Sequence, residues 1–262
     1  MKLIQSRDNP FFRELDKLAG SARQRGKESR TLLDGTHLLA AYLDAGLMPL
    51  HILLNSAALR DEEIAVLLGR LNDVPVTQLD DKLFAELSEL KTPTGMLALI
   101  AYSQPDAPVA DSRFALLLEG IQDPGNLGSM LRSAAAAGCD AVFLSQGCAD
   151  VWSPKVLRGA MGGHFALRIY EQQDLPGVAK VFNGPLLAAG LQATHSLYGC
   201  DLRGTVAFLI GNEGAGLSDE LLSLATQAIT IPMPGKVESL NAAAATAICL
   251  FEAVRQRCSA KG

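Results

Sequence analysis

Hydrophobic positions along this chain recur with two different periods. Runs of five or six residues that are apolar throughout or in all but the last position, such as 96–101, 114–119 and 206–210, are typical of strands that are buried on both faces. Between such runs, apolar residues recur every three or four positions, as over 127–137, which predicts helices with one buried face. Strand and helix alternate through most of the chain, and this order predicts an α/β fold with a parallel sheet.

The same pattern divides the chain into two predicted domains. Residues 1–102 predict a smaller α/β unit, and residues 113–262 predict a parallel sheet with helices on both faces. Residues 103–112 are polar and contain proline, so we interpret them as a linker. Within the first domain, residues 9–26 predict one continuous helix, because an Asn-Pro start signal precedes apolar residues at helical spacing.

The stretch from Ile231 to Asn241 has the most distinctive local pattern. A short apolar run, 228–231, predicts a strand, and the two prolines and the glycine that follow force a loop. Ser239 and Asn241 both lie where a helix N-cap is expected. A buried face of the final helix is predicted from positions at helical spacing: Leu240, Ala244, Ala247, Phe251 and Val254. A rigid polar loop after a strand is where α/β proteins bind ligands.

Composition narrows the class of protein. The chain has 262 residues, 48 % of them hydrophobic, which is enough for a sizeable core. No apolar run approaches the roughly 20 residues of a membrane span, and the start of the chain lacks a signal-peptide pattern, so we expect a cytoplasmic protein with no membrane partner. The five cysteines and four histidines show no metal-binding spacing, so we expect reduced thiols and no metal.

The charge distribution leaves two interpretations open. The net charge of −5 argues mildly against a nucleic-acid partner. However, residues 1–30 contain eight Lys or Arg and four acids, whereas residues 31–112 contain four Lys or Arg and twelve acids. A basic end on an acidic protein can bind phosphates, and it can equally be a solvated helix surface.

Three polar loops follow predicted strands. The first contains Asn126 and leads into a helix for which Ser129 is a candidate cap and in which Arg132 lies one turn from the start. A dinucleotide-binding oxidoreductase is the first alternative to consider for such a loop. The sequence disfavours it, because Gly-x-Gly-x-x-Gly is absent and the next strand ends without the acid that would hold a ribose.

The second loop places three glycines around Glu213, and the third contains Ser239 and Asn241. Together the loops resemble the motifs of the SpoU/TrmH family of RNA ribose 2′-O-methyltransferases, within the knotted SPOUT class. The matching segments, in order, are Asn126-Leu-Gly128 with Arg132, Gly211-Asn-Glu-Gly-Ala-Gly216, and Ile231 to Asn241. One departure is the run of alanines after Asn241, where many members have Val-Ser.

The resemblance implies a fold and a cofactor. The C-terminal domain would be a SPOUT fold with a deep trefoil knot, a rare exception to unknotted topology. The knot would hold S-adenosylmethionine in a bent conformation. The residues implied to bind this cofactor are Leu191, Gly211, Ile231, Met233 and Leu240.

The resemblance also implies a catalytic group and a dimer. The residues implied to act in catalysis are Arg132, Asn126, Glu213, Ser239 and Asn241. The active site would form at a homodimer interface, with Arg132 beside the cofactor of the other subunit. Arg132 would serve either as the base that removes the hydroxyl proton or as a clamp on the neighbouring phosphate. A guanidinium rarely gives up its proton, whereas its planar fork suits a phosphate.

We therefore expect an S-adenosylmethionine-dependent enzyme that methylates a ribose 2′-hydroxyl in structured RNA. Ribosomal RNA is preferred, because the N-terminal domain resembles the ribosomal-protein-like substrate-binding domain of the 23S rRNA members. A transfer-RNA ribose methyltransferase and a non-catalytic RNA-binding protein of the same fold are the alternatives. The intact Arg132, Glu213 and Asn241 favour an enzyme over a non-catalytic protein.

Overall fold

The computed structural model describes residues 1–90, 92–106 and 109–259. The chain forms two compact units, one of residues 1–103 with 152–165 and one of residues 104–151 with 166–262. Two residues of the predicted linker, 107 and 108, lie outside the described residues. The sequence analysis assigned residues 152–165 to the second domain, whereas in the structure they belong to the first unit.

The first unit is built on a mixed sheet. Its strands are β1 (Lys2–Ile4), β2 (Arg30–Asp34), β3 (His51–Leu54), β4 (Val76–Leu79) and β5 (Met96–Ala101). Its helices within the first 103 residues are α1 (Pro10–Gly20), α2 (Ala22–Glu28), α3 (Thr36–Asp44), α4 (Glu62–Gly69) and α5 (Asp81–Leu87). The strand order is β1-β4-β3-β5-β2, and β5 runs antiparallel to both of its neighbours.

The predicted single helix over residues 9–26 is wrong, because the structure has two helices there. Ser21 adopts an extended conformation between α1 and α2, and its side chain accepts a hydrogen bond from the backbone of Gln24 at 3.3 Å. Serine is a good N-cap, so it ends one helix and begins the next. The apolar spacing ends at Leu18, and the small and polar residues that follow have no periodicity that could mark the break.

Arg25 also differs from its expected place on a basic surface. Its side chain is buried, and its guanidinium donates to the carbonyl oxygens of Leu18 and Ala19 at 2.5 and 2.8 Å. These are free carbonyls at the end of α1, and a cation stabilises that end of a helix. Arg25 therefore serves the fold, whereas Arg23 and Lys27 on the same helix are exposed.

The second unit is built on a seven-stranded sheet. Its strands are β6 (Phe114–Leu118), β7 (Ala141–Ser145), β8 (Arg168–Gln173), β9 (Leu186–Ala189), β10 (His195–Ser196), β11 (Val206–Ile210) and β12 (Gln227–Thr230). The helices after residue 103 are α6 (Pro124–Ala137), α7 (Pro154–Ala160), α8 (Leu175–Val181), α9 (Asp219–Leu224) and α10 (Ala242–Ser259), of which α7 belongs to the first unit.

All strand pairs in this sheet are parallel, in the order β10-β12-β9-β11-β6-β7-β8. Every residue of β6 and β11 is buried, as expected for a parallel sheet covered on both faces. The predicted parallel α/β sheet is therefore confirmed. None of the helices in the described ranges combines the length and apolar composition that a bilayer span requires.

Residues 152–165 pack against the rest of the first unit. The buried hydroxyl of Thr31, on β2, donates to the backbone oxygen of Trp152 at 2.8 Å. The ring of Tyr102 stacks on that of Trp152 with centroids 4.1 Å apart. Strand and helix alternate through this segment as they do around it, so the sequence pattern carried no signal of the change of unit.

The final helix, α10, buries a different face from the one predicted. The predicted buried face includes Ala244, which is exposed, and Phe251, which is 46 % exposed. Four of the buried residues lie one position earlier than predicted ones: Ala243, Thr246, Leu250 and Ala253. Cys249 and Glu252 are buried beside them. α10 packs along α6. In a helix with small or apolar residues on several faces, periodicity does not identify the face that meets the rest of the chain.

Candidate active site

A cavity of about 630 Å³ lies at the carboxyl ends of β9, β11 and β12. Its volume is that of a typical small-molecule site, and its place at the strand ends is where α/β sheets bind ligands. The residues that line it are 189–192, 210–216, 229–231, Met233, 239–242, Ala245 and Cys249. All five residues predicted to bind the cofactor are among them.

The chemistry of the lining suits an adenosyl group. Leu191, Ile231, Met233 and Leu240 contribute apolar side chains, which fit a flat aromatic base. The loop around Gly211 contributes peptide groups that can hydrogen-bond to a sugar. Cys249 is fully buried, and desolvation raises the pKa of its thiol to about 12, so this part of the wall is neutral.

The segment that carries Asn126 is already helical. Asp123 is the N-cap of α6, accepting from the backbone of Asn126 at 2.7 Å, and Pro124 follows it in the first turn. Ser129 is therefore not the cap, contrary to the sequence prediction, and Arg132 lies more than two turns into the helix. The Asp-Pro pair was the start signal that the sequence analysis missed.

The loop that carries Glu213 is closed by its own backbone. The backbone groups of Asn212 and Gly216 exchange two hydrogen bonds, at 3.1 and 2.9 Å. The Oδ1 atom of Asn212 accepts from the backbone of Gly214 at 2.8 Å. A Cβ at Gly211 would overlap the backbone of Gly216. Gly211 is therefore required by the loop itself, before any cofactor is considered.

Asn241 begins the final helix. Its Oδ1 accepts from the backbone N–H groups of Ala243 and Ala244 at 2.9 and 3.2 Å, which confirms the predicted N-cap position. Because Oδ1 faces the helix, the Nδ2 atom of the same amide points toward the other loops. The capping requirement thus fixes the orientation of the amide.

Side chains of the three motif segments meet at the edge of the cavity. Asn241 Nδ2 donates to Asn126 Oδ1 at 2.9 Å and lies 3.5 Å from Glu213 Oε1. Asn126 Nδ2 in turn donates to Glu213 Oε1. These residues are 87 and 115 positions apart along the chain. They converge because β6 and β11 are neighbours whose following loops emerge at one edge, and because α10 packs on α6.

Two predicted catalytic residues take no part in this cluster. Ser239 is exposed and lines the cavity. Arg132 is exposed on α6, and it neither lines the cavity nor hydrogen-bonds to another of the described residues. Among those residues, no group of three or more His, Cys, Asp or Glu side chains could hold a metal ion.

Comparisons with known proteins bear on these observations. The SpoU rRNA methylase family matches residues 113–251, and the MRM3-like substrate binding domain matches residues 9–98. The chain belongs to the SpoU rRNA methylase family. This family membership confirms the resemblance drawn from the three motifs, and it makes the chain an S-adenosylmethionine-dependent RNA methyltransferase.

Two relatives match this chain along nearly their full lengths. A 23S rRNA (guanosine(2553)-2′-O)-methyltransferase of Bacillus subtilis is 31 % identical, over 96 % of this chain and 98 % of its own. A tRNA/rRNA methyltransferase of Synechocystis, itself uncharacterized, is 35 % identical over 98 % and 95 %.

Solved structures in the family share the fold. An RNA 2′-O ribose methyltransferase superposes with a TM-score of 0.83 at 31 % identity, covering 98 % of this chain and 99 % of its own. The SpoU methyltransferase AviRb from Streptomyces viridochromogenes, in complex with AdoMet, has a TM-score of 0.83 at 26 % identity, covering 96 % and 100 %. The predicted cofactor is confirmed at the level of the family.

Two residues of the site were missed by the sequence analysis. Asn212 hydrogen-bonds from within the second motif to Gly120, and Glu119 accepts from the backbone of Ser218. Glu119 lies directly after β6 and Asn212 lies two residues after β11, in stretches that the sequence analysis had already singled out. Polar residues at adjacent strand ends were the available signal, because such ends meet at one edge of a parallel sheet.

Proposed function

We propose that this family member methylates a ribose 2′-hydroxyl in large-subunit ribosomal RNA, with the cofactor held in the cavity beside Glu213. The observation that carries the proposal is the contact among Asn126, Glu213 and Asn241 at the edge of that cavity. Bound there, S-adenosylmethionine supplies a methyl group on a positively charged sulfur. The chain must supply alignment, exclusion of water and a route for the hydroxyl proton.

The three motif side chains give the edge of the cavity a defined pattern of donors and acceptors. Glu213 receives a hydrogen bond from the amide of Asn126, so one of its carboxylate oxygens is held in place. Asn241 holds Asn126 from the other side. We assign to this cluster the orientation of the ribose and of an Arg132 supplied by a second copy, and to Ser239 the closing of the pocket.

Arg132 acts, in our proposal, on the RNA phosphate next to the reacting ribose. A guanidinium keeps its proton and grips phosphate oxygens with two parallel hydrogen bonds. Arg132 is exposed and has no partner among the described residues, so it is available for that contact. Because it lies outside the cavity of its own chain, we propose that it serves the cavity of a second copy.

The surface of α10 supports a homodimer. Phe251 is 46 % exposed, Ala244 is exposed, and Ala247 and Val254 are only half-buried along the same side of the helix. Small and apolar residues on one exposed face allow close approach of another helix. We propose that two copies pack through this face, so that each supplies Arg132 to the other.

Subunit mixing tests Arg132 and the dimer together. Arg132→Ala should lower turnover by roughly 10²–10³-fold, because a charged donor to the RNA is lost, while cofactor binding persists, because the cavity is unchanged. Ala245→Phe should block cofactor binding, because residue 245 lines the cavity. Neither variant should be active alone, but mixed dimers should recover activity from one intact cavity and one intact arginine. A mixture that stays inactive after subunit exchange is demonstrated would contradict shared sites.

The substrate is tested with unmodified transcripts of 23S rRNA and of transfer RNA. With isotopically labelled cofactor, mass spectrometry of nuclease digests should place the methyl group on a ribose of the 23S transcript. Methylation of transfer RNA alone would support the competing substrate, and a methyl on a base would refute the reaction. Cofactor binding without transfer to any RNA would favour a non-catalytic binder.

The remaining parts of the proposal concern the fold and its setting. We propose that the first unit binds the RNA, and the match of residues 9–98 to a substrate binding domain supports this role. We propose a trefoil knot in the second unit, supported by the insertion of β12 between the earlier strands β9 and β10. We also propose that the protein works in the cytoplasm, where ribosomal RNA is modified in bacteria.

A further inference from the structure

Two side chains fasten the Glu213 loop to the end of β6. Asn212 Nδ2 donates to the carbonyl oxygen of Gly120 at 2.8 Å, just before Glu213. Glu119 Oε2 accepts from the backbone N–H of Ser218 at 2.7 Å, just after the loop closes. The loop is therefore held on both sides to the strand end that leads into α6.

The amide of Asn212 uses both of its ends. Its Oδ1 accepts from the backbone of Gly214 and Ala215 at 2.8 and 3.1 Å, which shapes the turn within the loop. Its Nδ2 makes the contact to Gly120, which ties the loop to another segment. One side chain thus both folds the loop and fixes where the folded loop lies.

We propose that Asn212 and Glu119 are positioning residues for methyl transfer. They hold the Glu213 loop against the end of β6, so that the carboxylate meets Asn126 before any substrate binds. Neither residue is assigned a contact with RNA. The inference rests on the proposed function and adds to it the residues that preorganise the cluster. Preorganisation matters because small displacements of positioning groups carry large costs in rate.

Asn212→Asp separates the two contacts of the amide. Aspartate keeps an oxygen for the N–H groups of Gly214 and Ala215, but it cannot donate to the carbonyl of Gly120. Losing a half-buried hydrogen bond should lower kcat roughly 5- to 30-fold, and Asn212→Ala should be no milder. Asn183→Asp is the matched control, because it adds the same charge at an exposed position in the same unit.

A double-mutant cycle tests whether Asn212 acts through Glu213. If it does, Asn212→Asp should cost little further kcat in a Glu213→Gln background, because the group being positioned is already altered. A loss of general stability would instead add to the effect of Glu213→Gln. Full additivity, or a kcat for Asn212→Asp equal to that of the Asn183→Asp control, would overturn the proposal.

Glu119 supplies a second test if Asn212→Asp folds poorly. Glu119→Gln keeps an oxygen for the N–H of Ser218 and should retain more activity than Glu119→Ala. Equal activity of these two variants would argue against the contact.

The activity assays use the unmodified 23S transcript as the RNA probe. Measuring cofactor binding as well distinguishes a failure of the positioning role from a failure of the proposed function. If wild type does not methylate that RNA, the proposed substrate is wrong, and calorimetry with S-adenosylmethionine decides the inference alone. The loop lines the cavity, so Asn212→Asp should weaken cofactor binding roughly 5- to 30-fold relative to Asn183→Asp. Unchanged affinity would refute the positioning role.

Discussion

Replacing Asn241 by aspartate should leave α10 capped while breaking the contact among the three motif side chains. The Oδ1 of Asn241 caps the helix through Ala243 and Ala244, and its Nδ2 donates to Asn126. Aspartate caps a helix as well as asparagine does, but it has no N–H to donate. The substitution also places a second carboxylate near Glu213. Stability and activity should therefore respond differently.

The magnitudes follow from these contacts. The lost donor costs about 1 kcal/mol, and two exposed carboxylates about 4 Å apart repel by about 1 kcal/mol in water. If both costs raise the activation free energy of methyl transfer, by about 2 kcal/mol together, the reaction slows about 30-fold, since 1.36 kcal/mol corresponds to a factor of ten. Asn241→Ala loses the cap as well, at a cost of about 1 kcal/mol of unfolding free energy. In a chain of this size that lowers Tm by roughly 2–4 °C.

Thermal unfolding and methyl transfer should be measured on three variants together. Asn241→Ser caps the helix but is too short to reach Asn126, so it should keep the wild-type Tm and lose activity, as Asn241→Asp does. Asn241→Ala should lose both. Wild-type turnover in Asn241→Asp would show that the donor is irrelevant. Equal destabilisation by serine and alanine would show that the cap is irrelevant.

Four further predictions concern other parts of the molecule. Gly211→Ala should abolish measurable S-adenosylmethionine binding in calorimetry, because its Cβ overlaps the loop backbone, whereas Gly214→Ala should bind, because the nearest atom to its Cβ is a side-chain oxygen 3.5 Å away. Arg25→Glu should lower the Tm of the protein by several degrees, since Arg25 is buried against two carbonyl groups. Arg23→Glu, at an exposed site, should leave the Tm unchanged and, if the basic segment binds phosphates, weaken RNA binding and flatten its salt dependence. Cys249 should resist alkylation at pH 8 until the protein unfolds, because its side chain is fully buried and desolvation raises the pKa of its thiol to about 12.

The sequence alone determined the architecture of the second unit. Continuous apolar runs predicted strands that β6 and β11 match to within a residue, and their alternation with helices predicted the parallel sheet. The resemblance to the SpoU/TrmH family implied residues that line the cavity, including Leu191 and Met233, which are far from each other along the chain. Such signals are local or depend on residue identity, so one sequence suffices to detect them.

Tertiary structure decided which faces and segments meet. Residues 152–165 joined the first unit, although their pattern continues that of the second. The final helix buried Ala243 rather than Ala244, a rotation of one position that apolar spacing did not distinguish. The Arg25 side chain is buried against the end of α1 and is not part of the basic surface. In each case the outcome depends on which segment packs against a face or hydrogen-bonds to a charged group. When that segment is distant along the chain, the local sequence pattern does not indicate it.

The cluster of Asn126, Glu213 and Asn241 could be predicted from the sequence only in part, and the rest depends on the tertiary structure. Each residue was predicted from its motif, but their hydrogen bonds to one another were not. Those bonds exist because β6 and β11 are neighbours and α10 packs on α6. Asn212 and Glu119 escaped notice for the same reason, since their partners lie 92 and 99 positions away. Residue types determine which hydrogen bonds the side chains can form, and the strand order determines which of these side chains are close enough to form them.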